Sequence, residues 1–515
     1  MKKSKKNVHV SKISAVQDRA VPLALPGEEF ELKLEIDRAE ADLILQAAPL
    51  NDPDAQERQQ SSVYFDTPSH VLRKAGFSLR IRSIGDRRIQ TVKAESAAAA
   101  GLFVRPEWEF EVNGDIPVLS GSDTPLQGLI PKAVLAQIEP VFSVRVLRRT
   151  MIVERGDALI EVVLDRGEVI AKGHSTSIHE LELELKKGDP AALFDLAYEL
   201  DDVAPLRLGV LSKSERGYML GGSAAAKPVK TAALTLDPGI TTQHGFQAIA
   251  GACLRQFRLN EAILMDTDDA DALHQARVSL RRLRSAFSTF KQIVRDDQFD
   301  ELRSELRSIA AILGKARDID VLIERLTDKG AAEPLMAERE RAYRDVHQAL
   351  TSVRLRRLML KLSEWLAIGQ WTVDPDRADV LQQPLVTFAA TALSQHRRRL
   401  KRLGREMTIV SDEKRHEARI EAKKLRYATE FFGSLFTSKK ASGRQASFHK
   451  RLASLQSHLG DLNDLATAPI VLAELNLVGT KTEAALQPDL SRREPLIKKA
   501  AEAHEALMKS KRFWK

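Results

Sequence analysis

Residues 28–36 read EEFELKLEI, and their alternation sets Glu29, Glu31, Lys33 and Glu35 on one strand face and Phe30, Leu32, Leu34 and Ile36 on the other. An ordinary half-buried strand mixes Thr, Ser and Gln into its solvated face. This one shows only ionisable groups. The same texture recurs downstream: Arg80 and Arg82 in SLRIR, Lys93 ending QTVK, Arg105, Glu107, Glu109 and Glu111 in RPEWEFE, Glu161 and Asp165 in IEVVLD, and Glu180, Glu182 and Glu184 in HELELELKK. One such strand is most simply a solvated face. A set of them fits a sheet curled into a barrel, charges inward and apolar faces under outer helices.

Such an interior has a definite chemistry. Clustered carboxylates favour a hard divalent cation such as Mg²⁺ or Mn²⁺. Lysines and arginines lining the same cavity favour an anion with several oxygens, and phosphate suits them. Together they are the equipment for phosphoryl transfer to water. No P-loop pattern occurs in the chain.

The 515 residues exceed one core, and the charge is uneven. Residues 1–220 sum to −5 and residues 221–515 to +13, which together make the net +8. The basic part calls for a polyanion: nucleic acid, an anionic membrane surface or polyphosphate. A single cysteine, Cys253, excludes an intrachain disulfide and a cysteine-based metal site. No run of about 18 apolar residues appears, and the basic N-terminus lacks the apolar core of a signal peptide, so a cytoplasmic protein without a membrane span is expected.

Strands are expected at 28–36, 61–66, 77–84, 88–94, 103–112, 143–154, 159–164, 168–172 and 178–186, with helices at 38–48 and 190–202. Residues 1–27 read as a disordered basic extension, 28–220 as the sheet domain and 221–241 as a linker. Residues 242–515 read as an all-α domain. Within it, HQARVSLRRLR (274–284) and HEARIEAKKLR (416–426) repeat at an offset of 142, followed by LGKARDIDVL (313–322) and LGDLNDL (459–465). Helical spacing puts His274, Arg277, Arg281 and Arg284 in one stripe, and His416, Arg419, Lys423 and Arg426 in its copy. Four cations without interleaved acids repel one another, so two stripes brought together form a surface for an anion. Arg282 and Lys424 are adjacent pattern positions, and Lys315 and Arg317 are candidate extensions. Asp318, Asp320, Asn463 and Asp464 read as caps or structural partners. The basic helix at 394–406 reads as a solvated face. Few aromatics accompany the stripes, which disfavours nucleic acid.

EFELK, with VYFDTP, LRIR, TVK, RPEWE, LRR, LDRGEV, ELELEL and LSKSERGY in order, resembles the CYTH, or triphosphate tunnel metalloenzyme, family over about 28–220, and most resembles bacterial inorganic triphosphatases. That resemblance implies an α+β domain built on an eight-stranded antiparallel tunnel. It implies metal-dependent hydrolysis of inorganic triphosphate, with Glu29, Glu31, Glu180, Glu182 and Glu184 at metal, and Glu29, Glu31, Lys33 and Glu182 catalytic. Lys33, Arg80, Arg82, Lys93, Arg105, Arg148 and Lys213 would grip the phosphates. Glu107 and Asp165 match motif positions without separable roles, Arg149 has the wrong parity for the tunnel, and Glu35 lies beyond the motif. The repeat phrases resemble the CHAD family over about 242–515, implying a helical bundle that binds long-chain polyphosphate through the two stripes. Association with polyphosphate granules and a homodimer are compatible with this reading. The rival expectations are a non-enzymatic polyphosphate-binding protein and a nucleoside or thiamine triphosphatase.

Overall fold

The structure, a computed structural model, describes residues 30–53, 55–94, 100–103, 106–119, 125–222, 227–487 and 489–515. The expected N-terminal extension, Glu29 and Arg105 lie outside them. Two compact units form: Met1–Lys227 with Arg356–Gly369, and Pro228–Leu355 with Gln370–Lys515.

The first unit holds ten strands: β1 (Phe30–Ile36), β2 (Gln56–Asp66), β3 (Phe77–Ile84), β4 (Arg87–Ala94), β5 (Leu102–Phe103), β6 (Glu107–Glu111), β7 (Glu139–Arg155), β8 (Ala158–Ala171), β9 (His174–Lys187) and β10 (Leu206–Leu208). They form one antiparallel sheet in the order β10-β1-β9-β8-β7-β2-β3-β4-β6. β5 pairs back onto β1 while β6 pairs with β4, so these two strands engage opposite ends of the pairing circuit and the sheet curls round. Setting aside the two-residue β5 and the three-residue β10 leaves eight strands, the number that the family resemblance implied.

Register carries the alternation across the sheet. Lys33 stands opposite Glu182 and Glu182 opposite Val163; Glu31 opposite Glu184 and Glu184 opposite Glu161; Asp165 lies between Glu180 and Arg148. The other parity is apolar and covered. Phe65, Phe77, Leu79, Ile81 and Val92 pack with Leu72, Leu126, Ile130 and Leu135 into one core. The Ala191–Val203 helix buries Leu193, Phe194, Leu196, Ala197 and Leu200. From Arg356–Gly369, Arg356 pairs with Asp201 at 2.9 Å, Glu364 accepts from Tyr198 at 2.7 Å, and Ser363 donates to the Ala100 carbonyl at 2.9 Å.

β8 runs unbroken where the sequence suggested two strands, 159–164 and 168–172. Gly167 lies in the gap between those two ranges. It is where two backbones meet: a Cβ there would lie 1.9 Å from the Arg145 carbonyl oxygen and 2.7 Å from the Val146 Cα. Neither backbone atom can yield cheaply, so Gly167→Ala is expected to cost about 3 kcal/mol and lower the melting temperature of this unit by roughly 5–10 °C.

The second unit is helical, with the long helices Thr242–Asp266, Ala270–Val294, Phe299–Glu324, Lys329–Thr351, Leu385–Leu403, Asp412–Phe432, Lys439–Glu474 and Arg493–Lys509. Cap side chains start several of them: Asp269, Ser411 and Ser438 accept from the backbone N–H three residues on. Its centre is aromatic, with Phe246, Phe287, Phe290, Phe299 and Trp371 fully buried in one contact chain. The repeat is visible as two helix triplets, Thr242–Asp266, Ala270–Val294 and Phe299–Glu324 against Leu385–Leu403, Asp412–Phe432 and Lys439–Glu474, whose middle helices pack on each other. Part of the expected linker belongs to this unit, since Val229 N–H donates to Asn260 and Leu236 N–H to Ser434.

Candidate functional site

Inside the curled sheet lies a cavity of about 420 Å³. Seven cations line it (Lys33, Arg80, Arg82, Lys93, Arg148, Lys186 and Lys213), with Glu31, Glu107, Glu109, Glu161, Glu182 and Glu184. Glu180 and Asp165 sit behind them, both with essentially no exposure. Every described residue carried over from the sequence as a tunnel residue faces this space or the carboxylates behind it. Arg149 does not: it donates to the Asp52 carbonyl at 2.9 Å. Glu35 is held by Arg216, from the helix Lys213–Gly222.

One wall is electrically satisfied. Lys33 reaches Glu182 and, at 3.2 Å, Glu180. Lys213 reaches Glu180, Asp165 at 2.8 Å and Glu182 at 2.9 Å. Arg148 grips Asp165 with two N–H donors, at 2.8 and 2.6 Å, and Glu182 at 3.1 Å. Burial alone would neutralise these groups, but each carries enough opposite charge to win. Burial pushes Glu182 up, and Lys213, Lys33 and Arg148 pull it well below the carboxylate range. Burial pushes Lys213 down, and Asp165, Glu180 and Glu182 lift it well above the lysine range.

On the opposite wall Lys93 pairs with Glu107 at 2.5 Å, but two arginines are poorly satisfied. Arg80 makes one long contact, to the Tyr64 hydroxyl at 3.4 Å, and Arg82 stands 3.7 Å from Glu109. The Nε atoms of both arginines are buried without a hydrogen-bond partner among the described residues. Unmet donors on buried guanidinium groups are costly, and an oxyanion is what would satisfy them.

Two buried carboxylate oxygens are also unmet, Glu31 Oε1 and Glu180 Oε2. Asp165, Glu180 and Glu182 bring ligand oxygens within 4.8 Å of one another. That triad is also the most heavily paired with lysine and arginine. The rung Glu31–Glu184–Glu161 holds less positive charge: Lys186 touches Glu184 at 2.5 Å and Glu161 at 3.3 Å. Burial raises the Glu184 carboxyl, and Lys186 only partly offsets the push from burial, Glu161 and Glu31. An all-oxygen donor set with unmet oxygens fits a hard divalent cation.

Toward one end the interior is filled: Tyr64, Phe142, Val144, Val146 and Tyr218 form an apolar cluster, with Tyr64 and Phe142 stacked at 4.6 Å. Tyr218 donates to buried Asp66 at 2.7 Å, and Ser212 and Glu215 cap the helix reciprocally. These anchors place Lys213.

In the second unit the two stripes meet. Arg277 donates to the Gly314 carbonyl at 3.1 Å and pairs with Asp318 at 3.2 Å, while Arg281 donates to Tyr427 at 2.6 Å. Lys423 sits among Arg419, Arg281 and Arg277, with Asp464 the nearest acid. Its ammonium is pushed down to about 7, chiefly by burial and then by those arginines. His274 is likewise depressed by burial and by Arg317, Arg281 and Arg277. His416 shares a 3.1 Å contact with Asn463. Asp318, Asp320, Asn463 and Asp464 all prove to be partners of other side chains. Arg282 departs from the sequence expectation of a ligand contact. It is 5% exposed, pairs with Glu430 and lies 5.0 Å over Phe431, because its position on the helix turns it to the interface between the middle helices. Lys424 lies 4.0 Å from Glu421, and Arg426 pairs with Glu430 at 2.8 Å.

The model of the CYTH domain matches residues 27–218, and that of the CHAD domain matches residues 248–473. The chain is a CYTH domain followed by a CHAD domain. The CYTH part is similar to an inorganic triphosphatase of Haemophilus influenzae, 32% identical over 197 residues, which are 38% of this chain and 55% of that protein. An uncharacterized protein of Mycobacterium tuberculosis is 28% identical over 289 residues, 52% of this chain and 53% of its own length. The chain thus spans about half the length of the curated relatives it matches. A solved CHAD domain from the plant Ricinus communis is 28% identical, covering 56% of this chain and 98% of its own, with a TM-score of 0.46. No helix among the described residues is long and apolar enough to cross a membrane.

Proposed function

We propose that the CYTH cavity hydrolyses inorganic triphosphate to pyrophosphate and phosphate with a divalent cation, and that the CHAD groove binds inorganic polyphosphate. What carries the first reading is the presence of unmet guanidinium donors on Arg80 and Arg82 and unmet carboxylate oxygens on Glu31 and Glu180 at one cavity. Arg80, Arg82 and Lys93, with Arg105, would orient the phosphate oxygens. Lys33, Lys213 and Arg148 would hold Glu180, Glu182 and Asp165 ionised and in place. Glu31, Glu180, Glu182 and Glu184, with Glu29, would hold Mg²⁺ or Mn²⁺. When bound, the cation would supply charge neutralisation at the phosphoryl oxygens and a more acidic water. The cavity lining is dominated by charged and polar side chains, which suits the phosphate oxygens of an inorganic substrate. The relative from Haemophilus influenzae supports the same activity.

Phosphate release from tripolyphosphate, ATP, thiamine triphosphate and long-chain polyphosphate, with Mg²⁺ and with Mn²⁺, tests this reading. Tripolyphosphate is expected to be turned over fastest. Turnover of none of them would leave a binding protein. The CHAD reading has its own check: Arg277→Ala with Arg419→Ala is expected to weaken long-chain polyphosphate binding at least tenfold, two charge contacts at about 1 kcal/mol or more each, while tripolyphosphate hydrolysis stays within twofold. A polyphosphate-binding unit of this kind would also bring the enzyme to polyphosphate granules.

A further inference from the structure

The first-repeat stripe does not end at Arg281. Arg284 lies one turn further, about 10 Å along the axis from Arg277. On the next helix, Phe299–Glu324, Arg303 and Arg307 are four residues apart and therefore on one face. Arg277 meets Gly314 and Asp318 of that helix, whereas Arg307 and Arg303 bear on Arg284. Residues later on one helix thus face residues earlier on the other, and the two run antiparallel with their cations along one seam.

Arg284, Arg303 and Arg307 make no hydrogen bond or ion pair among the described residues. After burial, the charges that act on Arg284 are those of the other two arginines, and no acid offsets them. Several other arginines of this unit are neutralised: Arg426 by Glu430, Arg354 by Glu305, Arg415 by Asp412. The second repeat has no counterpart. Shifting Gly314 and Asp318 onto Gly460 and Asp464 carries Arg303 onto His449 and Arg307 onto Ala453.

We propose that Arg284, Arg303 and Arg307 form an anion subsite that extends the polyphosphate track along the first repeat only, so that the two halves of the groove hold the chain unequally. The proposal rests on the CHAD reading above. Three guanidinium groups with no acid among them suit consecutive phosphates of a flexible chain. No aromatic ring stacks at this cluster, so bases would add little, and an inorganic chain is favoured over nucleic acid.

The test is the affinity of the full chain for long-chain polyphosphate across a salt series, for the parent, for Arg303→Ala with Arg307→Ala, and for Lys498→Ala with Lys499→Ala. The last pair removes the same charge from exposed positions of the Arg493–Lys509 helix. The arginine pair is expected to lose about tenfold or more in affinity and to lower the slope of log K against log salt by about two, as fewer counterions are released. The lysine pair should stay within twofold, with all melting temperatures unchanged. Equal behaviour of the two double variants would overturn the subsite. A loss that is larger for single-stranded RNA than for polyphosphate would overturn its assignment to an inorganic chain. A parent protein that binds no polyphosphate would instead refute the CHAD reading, and so the two failures remain distinct.

Discussion

Glu31→Gln should lower tripolyphosphate turnover by about three orders of magnitude and leave the melting temperature within about 2 °C of the parent. The two halves of this expectation come from different contacts. Glu31 touches one cation, Lys33, at 3.8 Å, and its Oε1 is buried with no donor, so the fold gains little from its charge. A ligand would gain a great deal. Glu182 is the contrasting case, since it is contacted by Lys33, Lys213 and Arg148. Glu182→Gln should abolish turnover too, but it leaves three buried cations short of a counter-charge. A loss of about 3 kcal/mol and a clear drop in melting temperature are expected with it. Steady-state kinetics beside calorimetry on the two variants separate the roles. Parent-like turnover by Glu31→Gln would remove Glu31 from the catalytic set.

Polyphosphate binding should become steeply pH-dependent above neutrality. In the free protein Lys423 titrates at about 7, since burial and Arg419, Arg281 and Arg277 oppose its charge more than Asp464 favours it. Asp318 pairs with Arg277 on the facing helix, and His274 and Arg317 complete the charged neighbours on that side. A bound polyanion reverses the balance and raises the lysine again. Below pH 7 the ammonium is already present and the dependence is shallow. Above it, binding must take up a proton, and affinity should fall by up to tenfold per pH unit until the value in the complex is reached, about 100-fold between pH 7 and 9. Stability of the free protein has the opposite sign. The unfolded lysine keeps its proton to higher pH, so this group makes the fold more stable as pH rises through 7 toward 10. Titration of affinity against pH checks the first effect. Lys423→Arg, charged throughout, should retain binding and flatten the profile; an unchanged slope in that variant would exclude Lys423 as the titrating group.

Much of the inside of the sheet was legible because alternation is a local property. Residues of one parity between 30 and 36, 80 and 82, and 180 and 184 share a face in any strand. Partnership was not legible. That Lys33 and Lys213 share Glu180 and Glu182 depends on β1, β9 and a later helix converging, which spacing alone does not encode. Glu35, left unassigned, holds Arg216 for the same reason. Glu109 and Glu161, read from the alternation as inward charges, do line the cavity, whereas Lys186 was missed; its parity with Glu182 and Glu184 was the available signal. The continuity of β8 was not legible, because a glycine inside a strand, here Gly167, reads equally as a break or as a close crossing. In the helices, periodicity found the stripe but could not separate Arg281, at the groove, from Arg282, one position on and buried against Phe431. The i, i+4 pair Arg303 and Arg307 was visible in DELRSELRSI, but without its neighbour Arg284 it reads as a solvated face.

The apolar packing of Tyr64, Phe142 and Tyr218 bears on the direction of traffic. With that end filled, the cavity is a cul-de-sac, and a phosphate chain cannot be threaded through it. The proposed hydrolysis would in such a space be terminal trimming: a chain would enter by an end, and an attached group too large for the cavity would stay at the mouth. Products of the proposed reaction would back out along the path of entry. A product held at the mouth would then act as a stopper on the next turnover.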